Sequence, residues 1–148
     1  MPLKPEQHAP PNESGHQAAF QNGNIFLRPI GWVENPFTSP AAPEQIQQAE
    51  SRLVIEPELT PGLTGLEPGQ EIVVIFYFHL ARGYDLLQHP RGDISRPKRG
   101  VFALRSPRRP NPIGVSTVKL IAIEGNVLRV HGLDALDGSP VLDIKPAW

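Results

Sequence analysis

Residues 113–133 read IGVSTVKLIAIEGNVLRVHGL. Apolar residues alternate with polar ones from Ile113 to Glu124, the period of a half-buried strand. Gly125 and Asn126 interrupt the run as a tight turn, and VLRVHGL returns as a second strand over 127–133. The stretch predicts an antiparallel hairpin.

Working outward, other short segments repeat the pattern. IFLRPIGWVE (25–34) is expected as a strand, with Pro29 marking an edge or a bulge. RLVIEP (52–57), GVFALR (100–105) and VLDIKP (141–146) are expected strands as well. EIVVIFYFHL (71–80) is the most hydrophobic segment, and its β-branched and aromatic content predicts a buried strand. Pro43 opens one short helix, EQIQQAE, with Glu44 favouring its start. TPGLTGLEPGQ (60–70) is a succession of turns, DLLQHPRGDISRPKR (85–99) is irregular and basic, and DGSP (137–140) is a turn. Seven or so short strands and one helix predict a mainly β fold, a compact barrel or sandwich.

Composition agrees. The chain has 148 residues, which suits one domain, and 39% of them are hydrophobic, enough for a real core. Eighteen prolines and 13 glycines favour turns over long helices. The absence of cysteine excludes disulfides, thiolate metal sites and a cysteine nucleophile. No apolar run approaches the ~20 residues of a membrane span, and the first 17 residues lack the apolar stretch of a signal peptide. A cytoplasmic protein is the expectation. Residues 1–24 are polar and are expected to form a mobile extension, with 25–148 as the folded domain; His8 and His16 there lack further ligands nearby.

The net charge is −1, yet between Arg91 and Arg109 seven basic residues face one acid, Asp93. That segment carries +6, so the rest of the chain carries −7. A local basic face on an acidic protein points to a polyanionic partner. It ends in RSPRRPNP (105–112), where Pro107, Pro110 and Pro112 fix φ and bias Ser106, Arg109 and Asn111 toward extended backbone. Arg105, Arg108 and Arg109 then present planar guanidinium forks in defined directions, suited to phosphates, carboxylates and base edges. The competing reading is a proline-rich structural loop with solvated arginines.

Other residues carry two readings. His79 ends the most buried strand, as a hydrogen-bonded core residue or as the lining of a site. Asp134 lies at a strand end, where a carboxylate accepts ribose hydroxyls or approaches a cation. Asp137 pairs with Gly138 as a turn, and Asp134 with Asp137 is weak evidence for a metal. Asp143 and Lys145 share one face of a strand, which suits an ion pair. His89 and His131 are expected to be structural. No glycine-rich phosphate loop and no nucleophile elbow occurs.

GVFALRSPRRPNPIGVS (100–116) followed by LDALDGSPVLDIKP (133–146) resembles the hallmark of the TrmO/TsaA family, also called YaeB-like proteins. There the blocks read close to GVFATRSPxRPNPIG and LDGTPVLDIKP. IGWVENPF (30–37), LTGLEPG (63–69) and FYFH (76–79) fall in the right order. The resemblance covers residues 28–148. It implies a compact β-barrel that binds S-adenosylmethionine, usually as a homodimer with sites near the interface. It implies methylation of N6 of threonylcarbamoyladenosine beside the anticodon of a tRNA. By matched position it places Gln45, Gln47, His79, Leu80, Pro107, Thr117, Leu133, Asp134, Ala135 and Leu136 around the cofactor. Arg105, Arg109 and Asn111 fall at the catalytic, substrate side, with Arg99 and Arg108 also holding RNA. No metal is implied. Backbone carbonyls of 133–136 are expected to favour the cationic sulfur.

Two departures stand out. The family's Pro-Arg-Gln element reads Pro43-Glu44-Gln45, and its Gly-Leu-Glu-x-Phe-Ser-His run reads GLEPGQE. Both are expected on or near the pocket, where they bear on the substrate more than on the cofactor. Two alternatives therefore accompany the tRNA reading: a methyltransferase with a non-tRNA substrate, and a non-catalytic barrel that binds RNA or a nucleotide.

Overall fold

The computed structural model describes residues 18–39 and 43–148. Ten strands occur in this part of the chain: β1 (Ala19–Gln21), β2 (Asn24–Phe26), β3 (Gly31–Glu34), β4 (Glu50–Ile55), β5 (Glu71–Tyr77), β6 (Leu87–Gln88), β7 (Arg99–Gly100), β8 (Ile113–Glu124), β9 (Val127–His131) and β10 (Pro140–Pro146). One short helix, α1, spans Pro43–Gln47. Six strands close into a barrel in the order β10-β3-β4-β9-β8-β5, and every neighbouring pair is antiparallel. Closure leaves no barrel strand with an unpaired edge.

Alternation decides what the barrel buries. In β8, Gly114, Ser116, Val118 and Leu120 point inward while Ile113, Val115, Thr117 and Lys119 point out. In β5, Ile72, Val74 and Phe76 fill the interior, and Leu53, Leu128, Val130, Leu133 and Val141 complete it. Each such side chain contributes about 1.5–3 kcal/mol by leaving water. Gly114 is required here: a Cβ at this position would lie 2.5 Å from the Phe76 ring and 2.8 Å from the Phe78 ring. Bulges between Leu120 and Ala122 and between Val141 and Asp143 shift the register, as curved strands need. Asp143 and Lys145 form the ion pair read from their spacing, at 2.8 Å.

The hairpin at 113–133 forms as expected, except that the second strand ends at His131, because Gly132 turns with φ of +98°. Several expectations change. The strand over 25–34 is two strands, β2 and β3, and the break contains Pro29, which has no N–H for a ladder. β2 pairs with β1 in a separate hairpin outside the barrel, and residues 1–17 lie outside the described part. The strand over 71–80 stops at Tyr77, and Phe78 and Ala81 close a turn through the Ala81 N–H and the Phe78 carbonyl. The strand expected over 100–105 is a single 3₁₀ turn, Val101–Ala103, in which Val101 is buried and Phe102 faces out. Gly100 pairs only with Leu87, in a two-stranded piece beside the barrel.

Candidate functional site

At one end of the barrel, the chain leaves a cleft of about 1420 Å³. Its walls are α1, the turn at 78–81, the loop at 88–92, the segment 99–111, the first half of β8 and the segment 132–136. This volume exceeds the ~300–1,000 Å³ of most small-molecule pockets. The cleft gathers most of the residues singled out in the sequence: Gln47, His79, Leu80, Arg99, Arg105, Pro107, Arg109, Asn111, Thr117, Asp134, Ala135 and Leu136. Three do not line it. Gln45 is exposed on α1, whose inward side chain is Ile46. Leu133 is fully buried in the barrel core. Arg108 turns away, donating to the Arg82 carbonyl at 2.9 Å and to the Asp85 carboxylate at 3.0 Å.

The proline-rich loop is held by its own bonds as well as by its rings. The Arg109 guanidinium donates to the Leu104 and Ser106 carbonyls at 2.9 and 3.2 Å. The Arg109 N–H bonds the Pro107 carbonyl, and the Ile113 N–H bonds the Asn111 carbonyl, so the loop contains tight turns rather than a uniformly extended run. The Gln88 amide adds a bond to the Arg108 carbonyl at 2.6 Å. Arg99 and Arg105, by contrast, make no side-chain hydrogen bond or ion pair with the described residues and are exposed on the cleft. Arg91 pairs with Glu44 at 3.6 Å, joining the 88–92 loop to α1, and both side chains are open to water. His89 and His131 are bound to backbone carbonyls, of Arg96 and Gln48 respectively.

The 134–137 segment depends on Asn35, a residue that sequence reasoning left without a role, although it sits in the IGWVENPF block. Its side-chain amide donates to the Ala135 carbonyl at 2.8 Å and to the Ser51 hydroxyl at 3.1 Å. Its own N–H donates to the Asp137 carboxylate at 3.0 Å. Asp137 is thus a structural clasp, and Gly138 turns beside it with φ of +80°. The Ser139 hydroxyl donates to the Leu136 carbonyl at 2.7 Å. The Ala135 and Leu136 carbonyls expected to meet a cation are therefore already bonded within the protein.

Asp134 differs from its neighbours. Its backbone N–H bonds the Ser116 hydroxyl at 3.3 Å, while its carboxylate accepts no hydrogen bond from the described residues. Burial pushes this carboxyl above its ordinary value, and the Glu44 charge adds to the shift. Asp134 is thus a half-buried acceptor in the cleft with no donor among the described residues. No group of three or more potential metal ligands occurs among the described residues.

The departures from the family pattern separate in space. Glu44 lines the cleft. The GLEPGQE segment does not; its Gly65, Leu66 and Gln70 line a second hollow of about 630 Å³ with Lys145 and Pro146. That distance in the fold corrects the expectation that both changes fall near the pocket.

Comparison with known proteins bears on the same residues. A family described as tRNA-methyltransferase O N-terminal domain matches residues 32–148. A probable S-adenosyl-L-methionine-binding protein of Methanothermobacter thermautotrophicus is 49% identical over 127 residues, covering 84% of this chain and 90% of the relative. The tRNA (adenine(37)-N6)-methyltransferase of Rattus norvegicus is 36% identical over 141 residues, covering 88% of this chain and 32% of the relative. The crystal structure of TrmO from Pseudomonas aeruginosa superposes with a TM-score of 0.62 at 36% identity, covering 81% of this chain and 54% of that one. The chain thus spans nearly all of the archaeal relative, about half of the solved structure and about a third of the rat enzyme.

Proposed function

The chain belongs to the tRNA-methyltransferase O family, and from that premise we propose that it is an S-adenosylmethionine-dependent methyltransferase acting on N6 of an adenosine beside the anticodon of a tRNA. The observation that carries this reading is the cleft itself. It gathers the free guanidinium groups of Arg99 and Arg105 and the Asp134–Leu136 segment with His79 around one opening. The arginines suit an anionic RNA, and the 134–136 segment suits a small polar cofactor.

The residues present fit such a donor. Leu80, Ala135 and Leu136 offer apolar surface, and the unpartnered Asp134 carboxylate accepts from hydroxyl or ammonium groups. When bound, the donor supplies a methyl group already activated by its sulfonium; its C–S bond breaks as the N–C bond forms, and the acceptor nitrogen sheds a proton. His79 and Asp134, which line the same cleft, are the candidate groups for taking that proton. The Asn35 clasp fixes the segment that carries Asp134, through the Ala135 carbonyl. Arg109 holds the loop, and Arg105 and Arg99 orient the RNA.

The finer acceptor we assign is threonylcarbamoyladenosine. Its carboxylate matches an unpaired arginine fork, and the cleft is larger than a donor alone needs. The protein is further assigned as a homodimer, through the outer face of β5 and β8, where Tyr77, Ile113 and Val115 are exposed side by side. A cytoplasmic location accompanies a tRNA substrate; no helix among the described residues is long and apolar enough to cross a membrane.

Calorimetric titration with S-adenosylmethionine tests the first step, and methyl incorporation into total tRNA against small-molecule extracts tests the second. Saturable binding near one donor per chain with methylated tRNA is expected. Absence of binding at millimolar donor by folded protein defeats the methyltransferase reading. Transfer into the small-molecule extract alone defeats the tRNA assignment, and Glu44 on the cleft wall is the residue that would then account for it.

A further inference from the structure

Two phenylalanine rings line the cleft, and they are used differently. Phe78 packs edge-on against the buried Phe76, with ring centroids 5.2 Å apart. Phe102 touches no such partner and is 80% exposed. An exposed apolar side chain needs no explanation when it stands alone on a surface. Phe102 does not stand alone: it lines the cleft with Arg99 three positions before it and Arg105 three positions after it.

The local structure holds the ring outward. Val101, next to it, is buried and anchors the turn, and its N–H bonds the Leu86 carbonyl at 2.9 Å. The Leu104 N–H closes the turn on the Val101 carbonyl at 3.1 Å. The β6–β7 pairing fixes the chain just before it, and the Arg109 guanidinium fixes Leu104 just after it. With Val101 committed inward, this 3₁₀ turn directs Phe102 into the open cleft. A rigid mount with an apolar plane between two cations is the arrangement that proteins use to receive an unstacked base.

We propose that Phe102 is a substrate-binding residue that stacks on a nucleobase flanking the methylated adenosine, with Arg99 and Arg105 on the adjoining phosphates. The inference rests on the tRNA reading above. It assigns separate tasks to neighbouring groups: the arginines supply charge-dependent affinity, and the ring holds the loop splayed open.

The test compares Phe102→Ala, Phe102→Leu, Phe102→Tyr and Phe102→Trp with the wild-type chain, for donor affinity and for KM and kcat on total tRNA. Stacking predicts that Phe102→Ala raises the KM for tRNA by about tenfold and leaves the donor Kd unchanged. Phe102→Leu keeps the bulk but not the π-face, so it is expected to fail like alanine, while the tyrosine and tryptophan variants restore binding. In Phe102→Trp the emission of the introduced indole, taken as the difference from wild type, is expected to be quenched by a synthetic anticodon stem-loop RNA. An unchanged KM in Phe102→Ala, full rescue by leucine, or an unquenched emission in an active Phe102→Trp enzyme overturns the inference. A wild-type chain that binds donor but methylates no tRNA overturns the tRNA reading and this inference together, whereas an active wild type with an indifferent position 102 overturns the inference alone.

Discussion

The guanidinium of Arg109 donates to the carbonyl of Leu104 at 2.9 Å, across five residues of the same loop. A side chain that reads as a ligand for RNA is therefore also a fastener of the loop that carries Pro107 and Arg105. Its bond to Ser106 at 3.2 Å closes the same loop a second time. Hydrogen bonds to charged groups are worth about 1.5–3 kcal/mol. Arg109→Ala is expected to lower methyl transfer by tenfold or more, by roughly that energy, while the donor Kd moves much less. Lysine, a point charge that cannot span two carbonyls, is expected not to restore the rate. Equal losses in transfer and donor binding would remove the division of labour between the basic loop and the donor-binding residues.

Arg99 and Arg105 have no partner among the described residues, so their charge is available to phosphates. Replacing either by alanine is expected to weaken tRNA binding and to lower the slope of log affinity against log salt by about 0.7. Arg108→Ala, with its fork already held by Asp85 and the Arg82 carbonyl, is expected to leave that slope nearly unchanged. Filter binding across a salt series measures both.

Asp134 links the chemistry to stability. Its carboxyl holds a proton more tightly in the folded chain than its ordinary value of 3.8. Between 3.8 and the raised value the folded state therefore binds more protons than the unfolded one, and stability falls as pH rises through that window. Above the window the ionised carboxylate is a cost to the fold. Asp134→Asn is expected to raise the Tm at neutral pH, an advantage that shrinks as the pH falls below the ordinary carboxyl value. The same variant is expected to lose transfer by about 100-fold if Asp134 takes the proton. A variant neither stabilised nor slowed would leave His79 as the group to examine next.

Asn35→Ala removes bonds to Ala135 and Ser51 and leaves buried partners unsatisfied. A loss of about 1–3 kcal/mol is expected, read as a lower Tm, together with weaker donor binding, because the 133–137 segment loses its clasp. Unaltered donor affinity in a destabilised variant would confine Asn35 to the fold.

Gly114→Ala places a methyl group against the buried Phe76 ring and the partly buried Phe78 ring packed on it. Overpacking of this kind costs about 1–3 kcal/mol. Thermal melting is expected to show it, and the cleft wall built on the start of β8 is expected to lose donor affinity in step.

The barrel was legible in the chain because its strands declare themselves locally. Alternation over Ile113–Glu124, the Gly125-Asn126 turn and the apolar run before Tyr77 each rest on a few adjacent residues. The basic loop and the family blocks were legible for the same reason, and most of the residues they singled out line the cleft. Tertiary structure alone decided which way those residues face. A loop without a period does not tell that Arg108 turns out to Asp85, that Arg109 is bonded to backbone, or that Val101 goes inward and leaves Phe102 in the cleft. Nor does a strand end tell that Leu133 enters the core while Asp134 remains half-buried and unpartnered. The Asn35–Ala135 clasp joins residues a hundred positions apart; only closure of the barrel brings them within a hydrogen bond, so no local pattern can encode it.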